Sequence, residues 1–166
     1  MTRVGDGIRH IVGVGDMKIA TTPGEVLVTH ALGSCLGIAA FDPQVNVGGL
    51  LHVMLPAASI NPEKARTQPF IFVDCGVPEF FRGLMACGAV KSRLVVKVAG
   101  GACVQGGGED RFAIGKRNYL TLRKLFWQNG IFIASEDIGG TEPRTMYLEI
   151  GTGRVWLNMC GVEKDL

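Results

Sequence analysis

What the sequence lacks narrows its function before any motif is considered. Its five cysteines, at 35, 75, 87, 103 and 160, contain no C-x-x-C pair. Its three histidines, at 10, 30 and 52, stand at no zinc-ligand spacing with them. Neither a metal site nor a cofactor is therefore expected, and an odd set of thiols fits a reducing cytosol. No stretch approaches the ~18 consecutive apolar residues of a membrane span. The opening MTRVGDGIRHIVGVGDM lacks the continuous apolar core of a signal peptide, so a cytoplasmic protein, not inserted in a membrane, is expected. Charge is balanced: 17 Lys and Arg face 15 Asp and Glu, a net +2, and no basic stripe interleaved with aromatics appears. That argues against a nucleic-acid partner. Internal repeats, low-complexity segments and linkers are missing as well, so residues 1–166 are expected to form one domain. The polar residues 1–9 are expected to be frayed.

What is present is a glycine-rich, apolar chain: 47% hydrophobic residues with 24 glycines, enough at this length to bury a core without staples. Short β-rich runs are predicted at 10–14, 17–20, 25–30, 93–99, 131–135, 144–150 and 154–158, the last two flanking Gly151-Thr152-Gly153 as a hairpin. Two helices are predicted. The first spans 74–87, with Asp74 as cap, Pro78 in its first turn, Gly88 ending it, and Val77, Phe80, Phe81, Leu84 and Met85 on one face. The second spans 115–128, with Tyr119, Leu122, Leu125 and Phe126 inward and Asn129-Gly130 as its stop. The fold class that follows is α+β, a strand-rich layered sandwich with two main helices packed outside the sheets. Residues 56–69, PAASINPEKARTQP, show no period and read as a long loop, a lid or lip by position, or a surface connector.

A phosphate cradle is the tempting reading of GGACVQGGGEDR, and the residues refuse it. Arg111 stands where G-x-G-x-x-G needs glycine, and the Lys116 that follows Gly115 is followed by Arg117, not the Ser or Thr of a P-loop. A flexible crossing near the active cleft is expected there instead.

The chemistry gathers between residues 28 and 56, VTHALGSCLGIAAFDPQVNVGGLLHVMLP. Two apolar runs split by Asp42-Pro43 read as a β-hairpin. If its loop is 42–45 or only 43–44, Cys35 lies directly opposite His52, with Cβ atoms roughly 4.5–5.5 Å apart. A three-residue loop would send His52 to the other face. Thiol against imidazole is the minimal arrangement for cysteine nucleophilic catalysis, with His52 taking the thiol proton and leaving an ion pair. Backbone N–H groups of Ser34 and Cys35, in a Gly-Ser-Cys turn, can face a developing oxyanion. As a side chain, Ser34 points away from His52 in this register and is rejected as nucleophile. His30 is a competing base by proximity, but in a regular strand it points away from its neighbour Thr29.

These residues resemble the CheD family of chemotaxis receptor-modifying glutamine deamidases. The matching set is Thr29 with Leu32-Gly33-Ser34-Cys35, Asp42, His52-x-Met54-Leu55-Pro56, Lys97-x-x-Gly100-Gly101-Ala102, Ile114-Gly115-x-x-Asn118 and Asp137-x-Gly139-Gly140 followed by Arg144, in order from about Gly13 to Trp156. The resemblance implies an α/β/β arrangement and a catalytic Thr, Cys and His at Thr29, Cys35 and His52, with Thr29 orienting the imidazole. It implies deamidation of glutamine side chains in the cytoplasmic domain of chemoreceptors (methyl-accepting chemotaxis proteins), through a thioester with release of ammonia, and glutamate methyl-ester hydrolysis as a side activity. It further implies a CheC-type phosphatase as regulator. Two other readings compete: a non-catalytic module that binds receptor or phosphatase, and a cysteine amidohydrolase with another substrate.

Overall fold

The computed structural model describes residues 7–103 and 113–166. Among them the chain forms β1 (Arg9–Ile11), β2 (Asp16–Ala20), β3 (Val26–Leu32), β4 (Leu36–Asp42), β5 (Val47–Val53), α1 (Pro62–Thr67), α2 (Val73–Ala86), β6 (Val95–Gly100), α3 (Ile114–Asn129), β7 (Ile133–Ile138), β8 (Arg144–Glu149), β9 (Val155–Met159) and β10 (Val162–Asp165). Two five-stranded sheets result, β2-β5-β4-β6-β7 and β1-β3-β8-β9-β10. Every residue of β4 and β5 is buried. The cause is position: these strands lie in the middle layer, covered on one face by helices and on the other by the second sheet. Leu36, Ile38, Leu51 and Val53 pack with Val77, Phe80, Phe81 and Leu84 of α2 and Leu122 and Phe126 of α3. Ala39, Phe41 and Leu50 pack instead with Leu27, Met146, Leu148 and Leu157 of the other sheet. The α/β/β sandwich with two main helices outside is the architecture expected.

Several local expectations are corrected. Residues 56–69 are not structureless: α1 starts at Pro62, and the Asn61 side chain accepts from Lys64 N–H at 3.1 Å. An Asn-Pro-Glu helix start was there to be read. α2 begins at Val73 without a side-chain cap, so Pro78 lies beyond its first turn, and Asp74 accepts from Ala58 N–H at 2.9 Å, tying α2 to the preceding segment. Met85 is exposed, off the apolar face. Gly88, at φ +102°, does end α2: its N–H reaches Met85 O and Ala89 N–H reaches Leu84 O. Residues 91–93 form a 3-10 turn, so β6 begins later than expected. β10 was not anticipated. Arg9 is paired in β1, whereas residues 1–6 and most of the glycine-rich stretch, 104–111, lie outside the described residues.

The hairpin register also differs. β4 and β5 are joined by a four-residue turn, 43–46, with Asp42 opposite Val47 and Gly37, not Cys35, opposite His52. Asp42 is held as the last paired residue because its carboxylate accepts from Gln44 N–H (3.0 Å), Val90 N–H (2.9 Å) and Arg93, while Asn46 closes the turn at φ +58°. The error is two residues, and an even slip leaves every side chain on its expected face.

Candidate active site

His52 lies on β5 with its side chain between the sheets, 1% exposed. Thr29, wholly buried on β3 of the other sheet, meets it there: Thr29 Oγ1 is 2.7 Å from His52 Nδ1 and 2.7 Å from the carbonyl oxygen of Val12. A hydroxyl has one proton, and a carbonyl can only accept. Thr29 therefore donates to Val12, and Nδ1 carries the ring proton and donates to Thr29. That leaves the Nε2 lone pair bare, and Nε2 is buried with no hydrogen-bond partner among the described residues.

Cys35 sits one residue before β4, half-buried and packed against the same inter-sheet core. With Gly37 opposite His52, Cys35 is the diagonal neighbour of His52, a separation of roughly 7–8 Å between Cα atoms where strand geometry extends that far. The chain reaches this point through a bulge: the β3–β8 pairing gains a residue between Thr29 and Leu32, with Ala31 left-handed at φ +57°. The bulge turns Leu32 inward and leaves His30 exposed, so His30 is not brought to Thr29 or His52.

The Gly33-Ser34-Cys35 turn is held by its carbonyls. Gly33 O accepts from Ala102 N–H (2.8 Å), Cys35 O from Gly101 N–H (2.9 Å), and Ser34 O from Asn118 Nδ2 (3.0 Å). The same Nδ2 donates to Met54 O at 3.0 Å. Among the described residues the N–H groups of Ser34 and Cys35 donate to no backbone carbonyl. Glycine is demanded around this turn. A Cβ on Gly100, at φ +117°, would lie 2.1 Å from Cys35 O, and one on Gly115 would lie 2.6 Å from Gly101 O. Arg144, 5% exposed, braces the far side through Asp137 (2.7 Å), Gly139 O (2.6 Å) and Gly100 O (3.4 Å). Asn118, Gly100, Gly115 and Arg144 appeared in the sequence only as parts of motifs. Side-chain type alone gave them no role.

Burial favours the neutral form of both reactive groups. It pushes the Cys35 thiol up, opposed by the residue's own N–H, and pushes His52 down to about 4. Both shifts favour thiol and imidazole over an ion pair in the resting site.

Comparison with known proteins gives a consistent result. The family model described as CheD, chemotactic sensory transduction, matches residues 54–159. A relative from Solibacter usitatus, named probable chemoreceptor glutamine deamidase CheD, is 46% identical over 94% of this chain and 92% of its own length. Relatives from Syntrophus aciditrophicus and Anaeromyxobacter dehalogenans, named as probable chemoreceptor glutamine deamidases CheD 1 and CheD 2, are 44% and 42% identical over 91% and 87% of this chain, and over 94% and 90% of their own. The first match covers 156 residues, so it runs across Thr29, Cys35 and His52, which precede the family-model match. The chain belongs to the CheD family.

Proposed function

We propose that this protein hydrolyses the side-chain amide of glutamine residues in chemoreceptor cytoplasmic domains, with Cys35 as nucleophile, His52 as base and then acid, and Thr29 as the partner that orients His52. The supporting observation is a histidine locked in one tautomer, its buried Nε2 free, on the face against which Cys35 packs. The names of the relatives supply the substrate class.

The resting pair is neutral, so proton transfer accompanies attack. The Cys35 proton passes to Nε2 as Sγ bonds to the amide carbon, and the former amide oxygen becomes an oxyanion facing the free N–H groups of Ser34 and Cys35. Nε2–H then protonates the departing nitrogen, the C–N bond breaks and ammonia leaves a thioester. Water gives a proton to Nε2 as it attacks, the C–S bond breaks, and glutamate is released with the thiol restored. Throughout, Nδ1–H stays on Thr29, whose oxygen faces the charge that builds on the ring. A methyl ester of glutamate would enter the same thioester with methanol as leaving group. The family resemblance supports a cytoplasmic site of action and a CheC-type phosphatase as regulator.

The test is incubation with receptor cytoplasmic domains, mapping amide-to-acid conversion by mass spectrometry. Conversion by the wild type and none by a folded Cys35→Ala variant is expected. Turnover by Cys35→Ala at the wild-type rate removes the assignment.

A further inference from the structure

Asn118 is 0% exposed, yet half of its amide is unused: Nδ2 donates to two carbonyls, whereas Oδ1 is buried without a partner among the described residues. Its orientation is fixed by chemistry, since the flipped amide would set its oxygen against two carbonyl oxygens. A buried, half-satisfied amide is a poor choice for stability, and an aliphatic side chain would avoid the cost to Oδ1. What Nδ2 does is specific. Ser34 adjoins Cys35, and Met54 follows His52 by two residues, so one NH2 group spans the nucleophile turn and the strand of the base.

The Ser34 carbonyl and the Cys35 N–H belong to one planar trans peptide unit, with C=O and N–H pointing in opposite directions. Drawing Ser34 O toward α3 therefore aims Cys35 N–H away from α3, and among the described residues that N–H donates to no backbone carbonyl. Gly115, one turn earlier on α3, lies so close to Gly101 O that the helix start is seated against Gly101 and Ala102, whose N–H groups hold the Gly33-Ser34-Cys35 turn. We propose that Asn118 is a positioning residue, orienting the Ser34–Cys35 peptide so that the Cys35 N–H is aimed at the oxyanion of the deamidation reaction. The proposal rests on Cys35 being the nucleophile.

The test separates oxyanion stabilisation from thiol reactivity. Amide hydrolysis passes through a tetrahedral oxyanion. Alkylation of the same sulfur by iodoacetamide is a displacement of iodide and does not. In Asn118→Ala, kcat for receptor glutamine is expected to fall about 10–100-fold, with KM within about threefold, because misaiming one oxyanion donor costs up to the ~10²–10³ of deleting it. The alkylation rate of Cys35 at the same pH stays within about threefold of wild type. Asn118→Asp, which keeps the shape but turns an oxygen toward the two carbonyls, should show the same split and is read if Asn118→Ala does not fold. Loss of hydrolysis and alkylation in equal proportion, unchanged hydrolysis, or failure of both variants to fold overturns the proposal. Failure of the parent reading shows elsewhere, as hydrolysis that survives in Cys35→Ala.

Discussion

Thr29 Oγ1 and His52 Nδ1 lie 2.7 Å apart although β3 and β5 belong to different sheets. The hydrogen bond therefore crosses the core of the sandwich, and the carbonyl of Val12, just past edge strand β1, fixes its direction by accepting the only threonine proton. In the proposed site Thr29, a residue with no charge, would do what a carboxylate does in a charged triad: select the tautomer and orient the ring.

The hydroxyl, not the β-branched shape, should therefore matter. Thr29→Val keeps the volume and removes both hydrogen bonds, and kcat on receptor glutamine is expected to drop about 10–100-fold, the scale of a misplaced reacting group. Thr29→Ser keeps the hydroxyl and should remain within about fivefold of wild type. Equal activity in Thr29→Val and wild type would rule out the orienting role.

A buried neutral histidine also leaves a mark on stability. His52 titrates at about 4 in the fold against 6.5 when unperturbed, so between those values the unfolded chain binds more protons. Its contribution is fully present above pH 6.5 and is lost as pH falls toward 4, on the order of 3 kcal/mol. Denaturant unfolding between pH 4 and 8 should show this slope in the wild type and not in His52→Phe. Asp42 does not confound the window. Burial raises its carboxyl, but hydrogen bonds from Arg93, Val90 and Gln44 outweigh burial and hold it below the ordinary 3.8. If both proteins lose stability equally from pH 6.5 to 4, His52 is not buried neutral.

The layering was legible because period and composition report burial. The apolar stripes of α2 and α3 and the continuous apolar runs of β4 and β5 carry it. Cys35 and His52 stood out from residue type and spacing, whereas Thr29, which meets His52 across the sheets, stood out only through the family resemblance. Register was not: the turn between β4 and β5 depends on Asp42 being claimed by Val90 and Arg93, some fifty residues on, and no local pattern encodes that. Only because the slip was even did Cys35 and His52 stay on one face. The burial that pushes both groups toward neutrality was illegible for a related reason, since it comes from the second sheet. Asn118 gave no local signal either, being a polar residue in a helix whose acceptors are carbonyls 64 and 84 positions away in sequence.

Gly100 and Gly88 both have left-handed backbones, at φ +117° and +102°, but differ in their surroundings. A Cβ on Gly88 meets nothing within 4 Å, so Gly88→Ala should cost about 1 kcal/mol and leave activity intact. A Cβ on Gly100 would lie 2.1 Å from Cys35 O and forces the Gly33-Ser34-Cys35 turn to move. Gly100→Ala should lose at least about 3 kcal/mol by thermal unfolding and, where still folded, at least about a hundredfold in kcat. A Gly100→Ala enzyme with wild-type turnover would show that the turn tolerates displacement.

The last prediction concerns the resting thiol. A preformed thiolate–imidazolium pair would make Cys35 react with iodoacetamide rapidly at neutral pH, with a rate that persists well below pH 8. The site argues the opposite: burial raises the thiol, burial lowers His52, and among the described residues Nε2 has no hydrogen-bond partner. Cys35 is expected to label more slowly at pH 7 than the exposed Cys87 and Cys103, and its rate should climb with pH beyond the ~8.5 of a free thiol. His52→Ala should leave that resting rate within about threefold while abolishing turnover, because the imidazole acts when substrate joins thiol and base, not before. Peptide mapping of iodoacetamide adducts between pH 6 and 10 measures all of this at once. Fast Cys35 labelling that is flat below pH 8 and collapses in His52→Ala would establish a standing ion pair and overturn the neutral resting state.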